Sequence, residues 1–308
     1  MKDQFIKTLT HLAESNTKIM LVVGDLGYGM IESFIAKCPK QYVNAGVAEQ
    51  DMIGIATGLA LEGKIVFAYS IANFAVLRCL EQIRNDAAYH DANLKIVAMG
   101  GGFSYGALGM SHHATEDLAI VRAMPNITMF TPGDDWEVVQ AVEMLVRTPG
   151  TGYVRLDKMS AGNTSKKDEQ FILGKARILT EGNALTFVTC GGILKVVLEV
   201  AEELRKKDDI QVRVMSCPTM KPFDREAILN AAQETGGIVT VEEHTLEGGL
   251  GGLVAEILMD THVIPQKFLR MGLKAGFSSI VGSQTYLQEK YGLGRDSIRQ
   301  SALDLIRS

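Results

Sequence analysis

The chain has little of several things that mark particular kinds of protein. Only four cysteines occur in 308 residues. Cys38, Cys79, Cys190 and Cys217 form no CxxC pair and have no histidine at metal-ligand spacing, so they read as thiols of a reducing compartment. Basic residues are not in excess: 31 Lys and Arg against 36 Asp and Glu leave a net charge of −5. That balance gives no support to a nucleic-acid or anionic-membrane partner. The short basic runs Lys166-Lys167 and Arg205-Lys206-Lys207 read as solvated surface. No apolar run approaches the ~20 residues that span a bilayer. The opening MKDQFIKTLTHLAESN is an amphipathic helix with acidic residues, unlike a signal peptide. The expected setting is cytoplasmic.

What is present is glycine, 31 residues of it, against only 7 prolines, with 46% hydrophobic residues. That mixture suits a compact α/β protein with many strand-to-helix turns. Runs 19–23, 65–69, 95–99, 127–131 and 153–156 read as strands, and 49–61, 74–89, 114–123 and 135–147 as helices between them. The polar stretch MSAGNTSKKDEQ then breaks the pattern. Alternation resumes with strands at 185–189, 210–215 and 236–242, a helix over 193–207 and another after the glycines at 248–252. The expectation is two doubly wound α/β domains with mostly parallel sheets, 1–160 and 181–308, joined by a linker over 161–180. In such sheets ligands bind beyond the carboxyl ends of strands.

The segment VNAGVAEQDMIGIATGLALEG (43–63) carries small residues at 46, 48, 54, 56, 58 and 60. Such residues let another backbone approach a helix closely, and tight packing explains them. Glu49 is the odd member, an acid among small and apolar residues at the helix entrance, where the helix N-terminus favours a carboxylate. Burying it would still require a partner group.

GVAEQ before an Ala/Gly-rich helix resembles the pyrimidine-binding domain of transketolases, of 1-deoxyxylulose-5-phosphate synthase and of 2-oxo acid dehydrogenase β subunits. The resemblance implies thiamine diphosphate as cofactor. Glu49 would be the acid that bonds a nitrogen of its aminopyrimidine and promotes the imino tautomer that deprotonates the thiazolium. GDLGYG (24–29) resembles the family turn with an aspartate near the cofactor, here Asp25, although an aspartate in a glycine turn is also ordinary turn chemistry. SIANFAVLRCLEQIRND (70–86) resembles the segment that lays an aromatic ring on the pyrimidine, which points to Phe74. MSHHATED, RAMPN and TPGDD follow in the family's order. His112 aligns with the histidine that contacts the substrate oxygen at the reacting carbon. His113 is extra, a spectator or a second substrate contact. Two adjacent histidines with no third ligand at helical spacing do not make a metal site.

Other parts of the family pattern are missing. The GDG motif followed by an Asn pair, which holds Mg²⁺ (or Ca²⁺) to the cofactor diphosphate, does not occur. The resemblance therefore implies a partner, an N-terminal diphosphate-binding transketolase subunit, as α2β2 by analogy with related enzymes, with the active site between the chains and a small sugar as substrate. Where fused transketolases carry a Ser, a His and an Asp as sugar contacts, this sequence has Gly29, Gly100 and Leu108. The expected Arg after the fifth strand corresponds to Lys158 or Arg155. These losses imply an acceptor other than a standard pentose phosphate. VEEHTLEGGLGG (241–252) resembles the C-terminal domain of the same enzymes, where it supports dimerisation; His244 reads there as structural or as lining the site entrance. The function implied is transfer of a two-carbon ketol unit from a ketose to an aldehyde. The alternatives are a 2-oxo acid dehydrogenase β subunit and a non-catalytic scaffold.

Overall fold

A computed structural model describes residues 1–274 and 276–308. The strands are β1 (Ile19–Val23), β2 (Tyr42–Asn44), β3 (Ile65–Ile71), β4 (Leu94–Met99), β5 (Ile127–Phe130), β6 (Thr151–Leu156), β7 (Arg177–Thr180), β8 (Thr186–Thr189), β9 (Arg213–Ser216), β10 (Thr219–Lys221), β11 (Ile238–Thr245) and β12 (Phe268–Leu273). The helices are α1 (Lys2–Ser15), α2 (Glu32–Lys37), α3 (Glu49–Leu61), α4 (Ala72–Val76), α5 (Leu80–Gln82), α6 (Asp117–Ala123), α7 (Asp135–Arg147), α8 (Leu194–Asp208), α9 (Arg225–Glu234), α10 (Leu250–Asp260), α11 (Gln284–Lys290) and α12 (Arg295–Arg307). No described helix is long and apolar enough to cross a membrane.

The apolar runs become strands because helices cover both faces of each sheet, so every side chain of IMLVV in β1 and of LKIVAM in β4 is buried. The first sheet runs β10-β5-β6-β4-β3-β1-β2 and the second β12-β11-β8-β9-β7. Both are parallel except at one edge, where β10 and β7 pair antiparallel with β5 and β9. The two-domain α/β architecture with mostly parallel sheets is as expected.

The halves are stitched together. β10 follows the first strands of the second half yet completes the first sheet, and Thr131 N donates to Pro218 O at 2.8 Å. The stretch 161–180 ends in β7, and its Arg177 lies buried against Asp134 and Glu137 at 2.9 and 2.6 Å. One apolar cluster runs from Met52, Ile53 and Ala56 on α3 through the first sheet to Ile228 on α9 and Val254 on α10. The single helix expected over 74–89 is broken into α4, α5 and a π-helical turn, Ile83–Ala88. Within α3, Gly54 and Gly58 face open space, while Met52, Ile53, Ala56 and Ala60 point inward.

Candidate active site

Of the residues singled out from the sequence, Asp25, Glu49, Phe74, His112 and Lys158 lie beyond the carboxyl ends of β1, β2, β3, β4 and β6 respectively. Chain reversal after β1 requires tight backbone at Gly24-Asp25: Asp25 adopts φ 53°, a left-handed conformation that Asp tolerates better than most residues. Asn44, at the end of β2, holds this loop. Its Oδ1 accepts from Asp25 N at 3.1 Å and Gly46 N at 2.9 Å, and its Nδ2 donates to Asp25 Oδ1 at 2.9 Å. With Tyr28 Oη also donating to that carboxylate at 2.8 Å, first Asn44 and then Tyr28 hold the Asp25 pKa below the usual range.

Glu49 is the first residue of α3 and only 2% exposed. Its neighbour across the sheet is Gly24: a methyl group placed there would stand 3.6 Å from Glu49 Cγ, Met52 Sδ and Ser70 Oγ alike. Ser70, at the end of β3, is fully buried and its hydroxyl has no partner among the described residues. The partner that a buried acid needs is Arg78, whose Nη1 donates to Glu49 Oε2 at 2.5 Å. Arg78 Cζ lies 4.5 Å from the centroid of the Phe74 ring. Burial, and after it Glu49, push the Cys79 thiol up to about 12, so this cysteine is an inert neighbour.

From Phe74 the contacts continue outward. The His112 ring meets Phe74 edge-on with centroids 5.0 Å apart, and Tyr105 lies 6.4 Å from His112. Lys158 Nζ sits 3.8 Å from the centroid of Tyr105. Asn73 Nδ2 donates to Ser111 O at 3.1 Å, tying the His112 loop to α4, and partial burial holds His112 below its ordinary pKa, with His113 adding to the effect. One line of side chains thus runs Glu49, Arg78, Phe74, His112, Tyr105, Lys158.

Two members of that line, Arg78 and Tyr105, were not singled out from the sequence. Arg78 stands four residues after Phe74, a spacing that places two helical side chains on one face. Tyr105 bears on the glycine at position 100. A Cβ at Gly100 would come within 2.2 Å of the Tyr105 ring, so that ring already fills the space beside it.

Arg155 and His113 lie outside the line. Arg155 is 3% exposed; burial opposes its charge, yet Asp117 and Asp157 hold the guanidinium protonated. It contacts Asp117 Oδ1 at 3.3 Å and Asp157 Oδ1 at 3.4 Å and donates to Glu243 O at 2.8 Å, so its charge is committed to buried partners. His113 is turned inward, edge-on to Phe103, with Nε2 3.3 Å from Gly106 O. His244 is fully buried between α6 and β11, where Ala119 N donates to its Nε2 at 3.4 Å and Nδ1 lies 2.8 Å from Thr245 O. The motifs around these residues also join the halves: Arg122 of RAMPN pairs with Glu256 at 2.7 Å, and Asp134 of TPGDD pairs with Arg177 at 2.9 Å.

Comparison with known proteins bears on this arrangement. Residues 1–163 match the family described as "Transketolase, pyrimidine binding domain", and residues 174–298 match "Transketolase, C-terminal domain". An apulose-4-phosphate transketolase subunit of Phocaeicola vulgatus is 37% identical over 308 residues, covering 99% of this chain and 97% of that one. A 6-deoxy-6-sulfo-D-fructose transketolase subunit of a Clostridium species is 34% identical over 303 residues, 98% and 93% of the two chains. Among solved structures, "Split gene transketolase, inactive beta4 tetramer" superimposes with a TM-score of 0.86 at 34% identity, covering 99% of this chain and 97% of that one.

Proposed function

The chain belongs to the transketolase family, and from that premise we propose that Glu49 is the acid that activates its cofactor and Phe74 the ring on which the cofactor's aminopyrimidine stacks. The chain is a transketolase-type transferase subunit, and its chemistry moves a two-carbon ketol unit from a ketose to an aldehyde. Family membership brings dependence on thiamine diphosphate, which when bound supplies a nucleophilic carbon and a sink for the electron pair released as the ketose is cleaved. The observation that carries the reading is a carboxylate 2% exposed beside an orphaned buried hydroxyl, Ser70, and in line with an aromatic ring and a histidine. A flat heterocycle with ring nitrogens and an amino group fits that set: donors and acceptors for Glu49 and Ser70, a face for Phe74.

In this reading Glu49 holds a proton at the pyrimidine nitrogen, out of reach of water. Asp25, fixed by Asn44, lies on the next strand end and orients the same end of the cofactor. His112 faces the substrate oxygen at the reacting carbon, and its lowered pKa keeps it largely neutral near pH 7, able to donate or accept. Lys158, exposed beside Tyr105, offers the positive charge toward substrate that Arg155 cannot. That charge suits a sugar with an anionic end, as the names of both relatives suggest. His113 supports the loop from inside.

The naming of the relatives as subunits implies a partner chain. The partner proposed is the N-terminal subunit carrying the diphosphate and Mg²⁺ (or Ca²⁺) sites, in an α2β2 assembly. Exposed apolar side chains around Glu49 fit a surface that a partner covers: Tyr28, Val47, Ile55, Leu77 and Met110, beside the open glycines of α3. Residues 1–160 and 181–308 are proposed as the two domains, with β7 at the end of the intervening stretch adding an edge strand to the second sheet. The test is ketol transfer by the two co-purified chains with thiamine diphosphate, with and without Glu49→Gln. Activity only with both chains, lost in the variant, supports the reading; full activity in the variant overturns it.

A further inference from the structure

Arg78 has no counterpart in the roles assigned so far. Its side chain is 47% exposed yet reaches inward to an acid that is 2% exposed, and its guanidinium lies 4.5 Å from the Phe74 centroid. A guanidinium is flat, carries N–H donors at its edge and stacks on aromatic faces. The aminopyrimidine is likewise flat and nitrogen-edged. Resting on the proposed roles of Glu49 and Phe74, we propose that Arg78 occupies the aminopyrimidine slot while the slot is empty, neutralising Glu49, and swings toward solvent when the cofactor enters.

Three observations carry this. The Arg78 donor engages Glu49 Oε2 at 2.5 Å and stacks on Phe74, the two contacts assigned to the pyrimidine, so both groups cannot hold that position together. Arg78 leaves the Ser70 hydroxyl unpartnered, so it fills the slot without satisfying it. It also sits where the helix is broken: α4 ends at Val76, Arg78 N reaches back to Asn73 O at a stretched 3.4 Å, α5 has three residues, and a π-helical turn follows. Backbone so weakly committed to one helix can let a side chain change direction.

Such a placeholder has two consequences of opposite sign. It protects the empty chain from a buried, uncompensated carboxylate. It also competes with the cofactor, lowering apparent affinity by the fraction of chains in which the slot is taken. A merely structural arginine would give losses in both when removed. The experiment uses the assembled two-chain enzyme with Arg78→Leu, Arg78→Lys and Glu49→Gln, measuring thiamine diphosphate binding by titration calorimetry and the urea midpoint without cofactor. Arg78→Leu should bind the cofactor roughly 5- to 20-fold more tightly, while its cofactor-free form unfolds at lower urea. Arg78→Lys, which keeps the charge but not the flat fork, should fall between Arg78→Leu and wild type, and it serves if the leucine variant does not fold. Unchanged or weaker binding in both Arg78 variants would overturn the proposal. That result together with an inactive Glu49→Gln would leave the assignment of Glu49 standing; a fully active Glu49→Gln would remove the assignment itself.

Discussion

Replacing Arg155 by Met tests whether this arginine holds the structure together or meets the substrate. Its guanidinium bridges Asp117 and Asp157, both within 3.4 Å, and caps the Glu243 carbonyl across the two halves. All three residues of the cluster are at most 3% exposed. Removing the cation leaves two buried carboxylates without a counter-ion, in a setting where breaking such a pair costs about 3–5 kcal/mol. Methionine fills much of the volume, so the loss is electrostatic more than steric. With a urea dependence of about 3 kcal/mol per molar for a chain of this size, the midpoint should drop by roughly 1–1.7 M. The assay is urea unfolding followed by circular dichroism, paired with KM for the folded fraction of the assembled enzyme. Reduced stability with KM within about twofold supports the structural assignment. Unchanged stability with a KM raised tenfold or more would refute it.

Three further outcomes follow from the geometry. Lys158→Met should raise KM for a phosphorylated or sulfonated sugar roughly tenfold, as expected for losing a charge contact, while leaving KM for an uncharged hydroxyaldehyde unchanged; equal effects on both would remove Lys158 from the substrate site. Burial holds His244 neutral with its pKa lowered to about 4, so the unfolded chain binds the extra proton as pH falls from the ordinary 6.5 and stability is lost in that direction. Between pH 7 and pH 5 wild type should therefore lose roughly 2 kcal/mol more than His244→Gln, read from paired urea titrations. Gly101→Ala would bring a methyl group within 1.8 Å of Arg155 Nε and 2.3 Å of Asp157 Oδ1, and should destabilise by about 3 kcal/mol or more. Gly58→Ala, with nothing within 4 Å, should instead stabilise by up to about 1 kcal/mol. Equal urea midpoints for the two alanine variants would contradict the packing described.

Much of this was legible in the sequence because the signals were local. An apolar run such as IMLVV reads as a strand buried on both faces, and α3 begins at Glu49, as its pattern indicates. Short edge strands carry no such signal. TMK in β10 becomes a strand only because β5 offers an open edge, a long-range fact that three residues cannot encode. The break in 74–89 was hidden because ANFAVLRCLEQIRNDAA contains no Gly or Pro to mark an interruption, and tertiary contacts set where the helix stops. At the proposed site, Glu49, Phe74 and His112 are the residues that the motifs point to. Arg78 and Tyr105 were not, because each matters through what it touches. Lys158 and Arg155 could not be separated until burial showed which of them was already engaged.

We propose that Glu49 activates a cofactor shared with a second chain. Ketol transfer by the assembled enzyme should fall by at least 10²-fold in Glu49→Gln, the scale of losing acid–base assistance, with cofactor still bound. Activity within twofold of wild type in that variant would contradict it.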